Sequence, residues 1–209
     1  MKLGRTTTLV SAVGVLGVAF GSVSCTGRSI DNSAQVRLVI TDVKGSAGGE
    51  TGTASSGYML SDVIPEFNDN AVLTVAAMPV NPTLTDTDGI AIGTYDNVQL
   101  ERYDVRFTRT DGHNVEGVDV PFGFSGPLAT MVPFNSSAEV TFVIVRHQSK
   151  EEPPLKQLAA IGGADSAAPY GGQNIIMTIA EITIHGRTLA GDVVSAQARL
   201  EIHFADFGG

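Results

Sequence analysis

The residues best suited to chemistry in this sequence are carboxylates gathered on a turn, Asp86-Thr87-Asp88-Gly89, with Asn81 before them and Asp96 after. Calcium takes about six to eight oxygen ligands around a sharp turn, and two aspartates spaced by one residue ahead of a glycine begin such a set. Asp86, Asp88 and Asp96 are therefore the candidate metal ligands, with calcium the cofactor they suggest. The stretch departs from the full calcium-loop pattern: Ile90 stands where a third oxygen ligand is needed, and no Glu follows at the required spacing. Asp, Asn and Gly also gather in turns for local backbone reasons, and plain turn chemistry accounts for the same residues without a metal.

Four histidines, His113, His147, His185 and His203, are the other metal or proton-transfer candidates. If residues 185 and 193 face each other across a C-terminal hairpin, His203 pairs near Ile175 and stands far along the sheet from His185. His113 falls in a turn and His147 at a strand end, so four independent histidines are expected rather than a zinc site. The sequence has no G-x-S-x-G elbow, no H-E-x-x-H and no phosphate-binding glycine loop. Glu151-Glu152 precedes Pro153-Pro154 on a charged stretch, where solvation accounts for the pair. An active site assembled from distant residues stays open as a third reading, because such sites are defined by geometry and not by spacing. Tyr58, Phe67, Tyr95, Tyr170 and Phe207 fall in loops or edges. Rings at the rim of a fold can stack on sugars or anchor a protein, which makes Tyr58, Tyr95 and Tyr170 candidate binding residues.

What must position these side chains is a set of strands. Val194, Ala196, Ala198, Leu200, Ile202 and Phe204 alternate with Ser195, Gln197, Arg199, Glu201 and His203, a period of two that marks a strand with one face in a core and the other in water. Asn174 to His185 is a second β-rich run, and the two form a long C-terminal hairpin. Val36, Leu38 and Ile40 alternate upstream, and Ala71 to Met78 makes another strand. Ala138 to His147 is apolar on both sides near its centre, as in a strand covered on both faces or lying at the middle of the sandwich. In Asn97 to Arg109 the apolar phase slips by one between Leu100 and Tyr103, which is what a β-bulge does. Asp111-Gly112 is a turn, and Pro121 marks Val118 to Phe124 as an edge strand. With weaker runs at Tyr58 to Ile64 and Leu128 to Val132, about eight or nine short strands result. The one helical stretch is a turn or two from Leu155 to Ala160, stopped by Gly162-Gly163. Leu155, Leu158 and Ile161 then cap the open end of the fold. Lys44 to Gly57, rich in Gly, Ser and Thr, reads as a mobile loop.

The expected fold is thus all-β: a two-sheet antiparallel sandwich with one short helix before the C-terminal hairpin. It resembles immunoglobulin-like bacterial surface domains in architecture. It lacks their core disulfide and core Trp, so the likeness carries no function across. With 43% hydrophobic and 17% charged residues and a mean hydropathy of +0.14, the chain can build a core. No Trp and only 6% aromatics leave that core to Val, Ile, Leu and Ala.

The first 24 residues differ in kind from the remainder. Lys2 and Arg5 precede an apolar run of about a dozen residues from Leu9 to Phe20, then Gly21-Ser22-Val23-Ser24, the three-part layout of a secretory signal. The run is too short and too Gly-rich for a membrane span of about twenty residues. Ser22-Val23-Ser24-Cys25 resembles the lipobox of bacterial lipoproteins, with Ser22 where that family most often has Leu. The resemblance implies cleavage before Cys25 and a lipid on this cysteine, the only one in the chain. The expected organisation is a signal peptide over 1–24, a lipidated tether over 25–34 and a β-sandwich over 35–209. Thr26, in place of Asp, would permit sorting to the outer membrane in an enterobacterial-type host.

All 22 acidic residues follow residue 24, so loss of Lys2 and Arg5 with the leader takes the net charge from −9 to −11. A surface that acidic repels nucleic acid and anionic headgroups. The expected partners are the membrane, through the lipid on Cys25, and an envelope protein or polysaccharide. The function these features point to is a non-catalytic structural or protein-interaction module of the cell envelope. The alternative is a calcium-assisted carbohydrate-binding module.

Overall fold

A computed structural model describes residues 34–48, 54–63, 67–81, 93–160 and 175–206. The C-terminal alternation forms the longest hairpin of the fold, β8 (Ile175–Thr188) and β9 (Val193–Ala205), paired from Ile175 with Ala205 to Arg187 with Val193. Leu200, Ile202 and Phe204 point inward and are fully buried, while Glu201 stays exposed, as a period of two requires. His185 faces Ser195 rather than residue 193, and His203 faces Met177 rather than Ile175. The register differs by two because the turn is tighter than expected, closed by Thr188 N–H to Asp192 O at 2.8 Å and by Gly191 at φ 102°. A shift of two keeps every side chain on its face.

Among the described residues, nine strands form two sheets. The remaining strands are β1 (Val36–Ser46), β2 (Ser55–Ser56), β3 (Tyr58–Asp62), β4 (Asp69–Pro79), β5 (Val98–Thr108), β6 (Phe124–Val132) and β7 (Ser136–Val145). One sheet runs β2-β1-β4-β7 and the other β3-β9-β8-β5-β6. The fold is the expected all-β sandwich, and its neighbour relations follow the immunoglobulin plan: β1, β4 and β7 take the places of strands A, B and E, and β9, β8, β5 and β6 those of G, F, C and C′. It is not wholly antiparallel, since β3 pairs with β9 in parallel. The chain passes from β2 in one sheet to β3 in the other at Gly57, whose φ of 89° is open to glycine at little cost.

The bulge expected in β5 is present: Leu100 pairs with Gly186 and Arg102 with His185, leaving Glu101 as the extra residue. Two strand expectations are corrected. Val118 to Phe122 is not a strand, because its backbone is satisfied locally by Gly117 N–H to Val120 O and Asp119 N–H to Val115 O, both at 2.8 Å. The edge proline is Pro127 on β6 instead. The strand that is apolar on both sides near its centre, β7, lies at a sheet edge, pairs with β4 alone among the described residues, and exposes Glu139 and Thr141 on its outer face. The Gly/Ser-rich stretch contributes strand at both of its ends: β1 runs on to Ser46, and Ser55–Ser56 folds back against Lys44 and Gly45.

Two short helices follow β7, α1 (His147–Lys150) and α2 (Leu155–Ala160). Sequence periodicity anticipates only the second, since four residues are too few to show a helical repeat. Leu155 and Leu158 join the core as a cap, and Ile161 lies outside the described residues. Among the described residues, no helix is long and apolar enough to cross a membrane.

One polar knot sits inside this core. Asp69 and Lys150 are buried, with Lys150 Nζ 2.9 Å from Asp69 Oδ1. The same oxygen accepts the Gly48 N–H at 2.8 Å, and Oδ2 accepts the buried Ser61 hydroxyl. A carboxylate with three donors joins the end of β1, β3, β4 and α1, elements far apart in sequence.

Candidate functional site

In β5 the residues Tyr103, Val105 and Phe107 are buried, so Asp104 and Arg106 must face out of the five-stranded sheet. Pairing then sets polar side chains in three rows across that outer face. Arg106 is opposite Glu181, and Glu181 is opposite Arg199. Ser125 is opposite Asp104, followed by Thr183 and Gln197. Arg102 is opposite His185, followed by Ser195. Neighbours within a row are about 4.8 Å apart and the rows about 6.6 Å apart, from strand geometry.

The best-connected group in this array is the Asp104 carboxylate. Its Oδ1 accepts the Ser125 hydroxyl at 2.6 Å, His185 Nε2 lies 2.8 Å from Oδ2, and Arg102 is 3.3 Å away. The hydrogen bond from Ser125 is the largest influence holding this carboxyl below the usual carboxylate range; desolvation opposes it, and His185 and Arg102 reinforce it. Beside it opens a groove of about 570 Å³ lined by Asp104, Arg106, Glu181, Thr183, Gln197 and Arg199. The Glu181–Arg199 pair, at 2.9 Å, forms one wall. Ser, Asp and His are thus brought together, but the carboxylate stands between the other two. In nucleophilic catalysis the imidazole must take the serine proton, and here the serine gives its hydrogen bond to Asp104.

Ser125→Ala is expected to raise the Asp104 pKa towards its ordinary value of 3.8, read by a carboxyl-carbon NMR titration. A depressed native pKa contributes stability that is complete above the unfolded value and is lost as pH falls through the native value. Wild type and variant should therefore converge in stability in acid and differ near neutrality. An Asp104 titration unchanged by the substitution would show that Ser125 does not set this pKa.

The sequence candidates scatter. Asp96 is 3% exposed at the end of the 3-10 turn Thr94–Asp96, where its Oδ2 accepts the Gly93 N–H at 3.1 Å. It caps a turn there. Asp86, Asp88, Tyr170 and Cys25 lie outside the described residues. Tyr58 is exposed and tilted against the His203 ring at 6.2 Å. Tyr95 is also exposed, in the turn leading into β5. Tyr58 aligns through Glu201 and Ile179 with Thr108, at the far end of β5 from Tyr95. The two rings are on the order of 30 Å apart along the sheet, too far to grip one sugar. Each histidine has a neighbour of its own: His113 lies beside Asp111, His147 beside Asn68, His185 beside Asp104 and His203 beside Glu201. Among the described residues, no group of three or more His, Cys, Asp or Glu side chains converges on a metal-sized site.

A second groove, of about 510 Å³, lies where β6 approaches β7, lined by Phe122, Phe124, Ser125 and Arg146 among others. Arg146 stacks on Phe124 at 3.9 Å and donates to Ser125 O at 3.0 Å, bridging the two sheets at this end. Burial pushes the nearby Tyr103 hydroxyl up in pKa, against the opposing charge of Arg146.

No protein-family model matches the chain, and no curated protein does. Among solved structures, the chain is similar to the X-ray structure of Northeast Structural Genomics Consortium target SoR45. The identity is 12%, the match covers 83% of this chain and 89% of that one, and the TM-score is 0.35.

Proposed function

We propose that this protein is a non-catalytic module of the cell envelope, held on a membrane by a lipid at Cys25 and binding a protein partner through the outer face of the five-stranded sheet. The observation that carries the reading is the polar array on β5, β8 and β9. Six charged or hydrogen-bonding side chains line an open groove there, and they project from three paired strands. Strand pairing fixes the backbone positions from which these groups project, which favours recognition. The serine in the cluster is engaged with a carboxylate, an arrangement suited to holding side chains in place. The anchor part of the reading rests on the leader and the lipobox-like Ser22-Val23-Ser24-Cys25.

The test is site-specific photo-cross-linking of the full chain in the envelope of its own host, with the cross-linker at Thr183 in the array or at Arg37 on the four-stranded sheet. A discrete protein adduct from position 183, absent at 37, is expected in the membrane fraction. It should disappear from that fraction in Cys25→Ala. Adducts from neither position, or equal adducts from both, would sink the proposed face. A Cys25→Ala chain that stays with the membrane would sink the anchor.

A further inference from the structure

A row of unpaired backbone N–H and C=O groups at a sheet edge is a template for another strand, and natural sheets blunt it with proline, lysine, glycine, bulges or brevity. The edges of this sandwich can be compared on that basis. β6 carries Gly126 and Pro127. β3 is five residues long. β1 carries Arg37, Lys44 and an extra residue at Thr41, and its end is covered by β2. β7 is different. It is ten residues long, contains no Pro, Gly, Lys or Arg, and carries one charge, Glu139. Its irregularity lies at the C-terminal end, where Val143 pairs with Asn70 and Val145 with Asp69, so Ser137 to Val143 is regular. Among the described residues, no strand pairs with its other edge.

We propose that the β7 edge pairs antiparallel with β7 of a second copy of this chain, joining the two four-stranded sheets into one of eight. The register follows from the side chains. Residues directly opposite in an antiparallel pair share a face, so the two-fold axis must pass through a single residue of β7. An axis at Glu139 sets two carboxylates against each other, which is unfavourable. An axis at Thr141 sets Thr141 against Thr141, Glu139 against Val143, and the buried Val140 against Phe142. The hydroxyl pair and the aromatic set against a β-branched residue are favourable combinations, and an uncharged neighbour for the one carboxylate avoids repulsion. Inward-facing Val140, Phe142 and Ile144 then continue the apolar layer across the junction. The strand is thus self-complementary in shape, charge and hydrogen bonding, as an isologous interface requires. This contact is separate from the groove on the five-stranded sheet, so either could fail alone.

The test uses cysteine cross-linking of the full chain in membranes, with wild type as the background for Cys25. Directly opposed residues bring Cα atoms within about 4.5–5.5 Å, inside the range a disulfide spans. Under mild oxidation Thr141→Cys should give a covalent dimer at least about fivefold above wild type. Ser137→Cys, whose two copies would lie roughly eight residues out of register at about 3.3 Å per residue, should stay at background. Thr141→Cys at background, or Ser137→Cys matching it, would overturn the proposal. Both variants replace exposed hydroxyl side chains, and loss of the fold by either would show as lost circular dichroism at the β minimum.

Discussion

Asp69→Ala should lower the unfolding free energy by about 3–5 kcal/mol, the cost of stranding a buried charge. Lys150 is almost wholly buried, and Asp69 is its ion-pair partner at 2.9 Å. The substitution also takes the acceptor from the Gly48 N–H and from the Ser61 hydroxyl, the second of which is fully buried. The measurement is the urea midpoint at constant slope. A second variant identifies the mechanism. In Asp69→Asn with Lys150→Met, the amide oxygen can still accept from Gly48 and the amide nitrogen can donate to Ser61, while no charge is left buried. Most of the loss should be recovered, because an ion pair replaced as a unit is often neutral. If the double variant is as unstable as Asp69→Ala, the unpaired charge is not the source of the loss.

Phe204→Ala should cost about 3–5 kcal/mol, the range for deleting a fully buried aromatic ring. Phe204 is 0% exposed and meets Phe107 edge-to-face, with ring centres 6.1 Å apart. Phe107 sits on β5 and Phe204 on β9, and the strand between them contributes Ala180 opposite Phe107. That small residue leaves room for the rings to meet across β8. Truncation therefore removes apolar area and a ring pair worth about 0.5–1.5 kcal/mol beyond area, and leaves a cavity in the core. Phe204→Leu keeps most of the volume and should cost clearly less. Equal losses for Ala and Leu would mean that ring contact, not cavity volume, dominates.

These two positions show how unevenly the molecule could be read in advance. Phe204 is visible as an inward residue from alternation alone, because a strand with one wet face must place every second side chain in the core. Asp69 gives no such sign. It is the first residue of β4, and its partners Gly48, Ser61 and Lys150 are 8 to 81 residues away. The same holds for the outer face. That Asp104 and Arg106 point outward follows from the inward phase of Tyr103, Val105 and Phe107. That Asp104 meets Ser125 and His185 depends on which strands flank β5, and pairing order leaves no mark in local spacing.

The sequence by itself therefore determined most of the strands, the bulge between Leu100 and Tyr103, the short helix at Leu155–Ala160 and the closing hairpin, because each is written in the period of neighbouring side chains. The lipobox-like cysteine and the acidic charge are likewise properties of the chain alone, and the proposed anchor rests on the cysteine and the leader before it. Only the tertiary structure decided that β7 is an edge, that β3 runs parallel to β9, that Asp96 turns inward to cap a turn, and that Asp104 stands between a serine and a histidine. Each of these is a relation between segments distant in sequence, set by how two sheets bury their apolar faces against each other, and such relations exist only once the chain has folded.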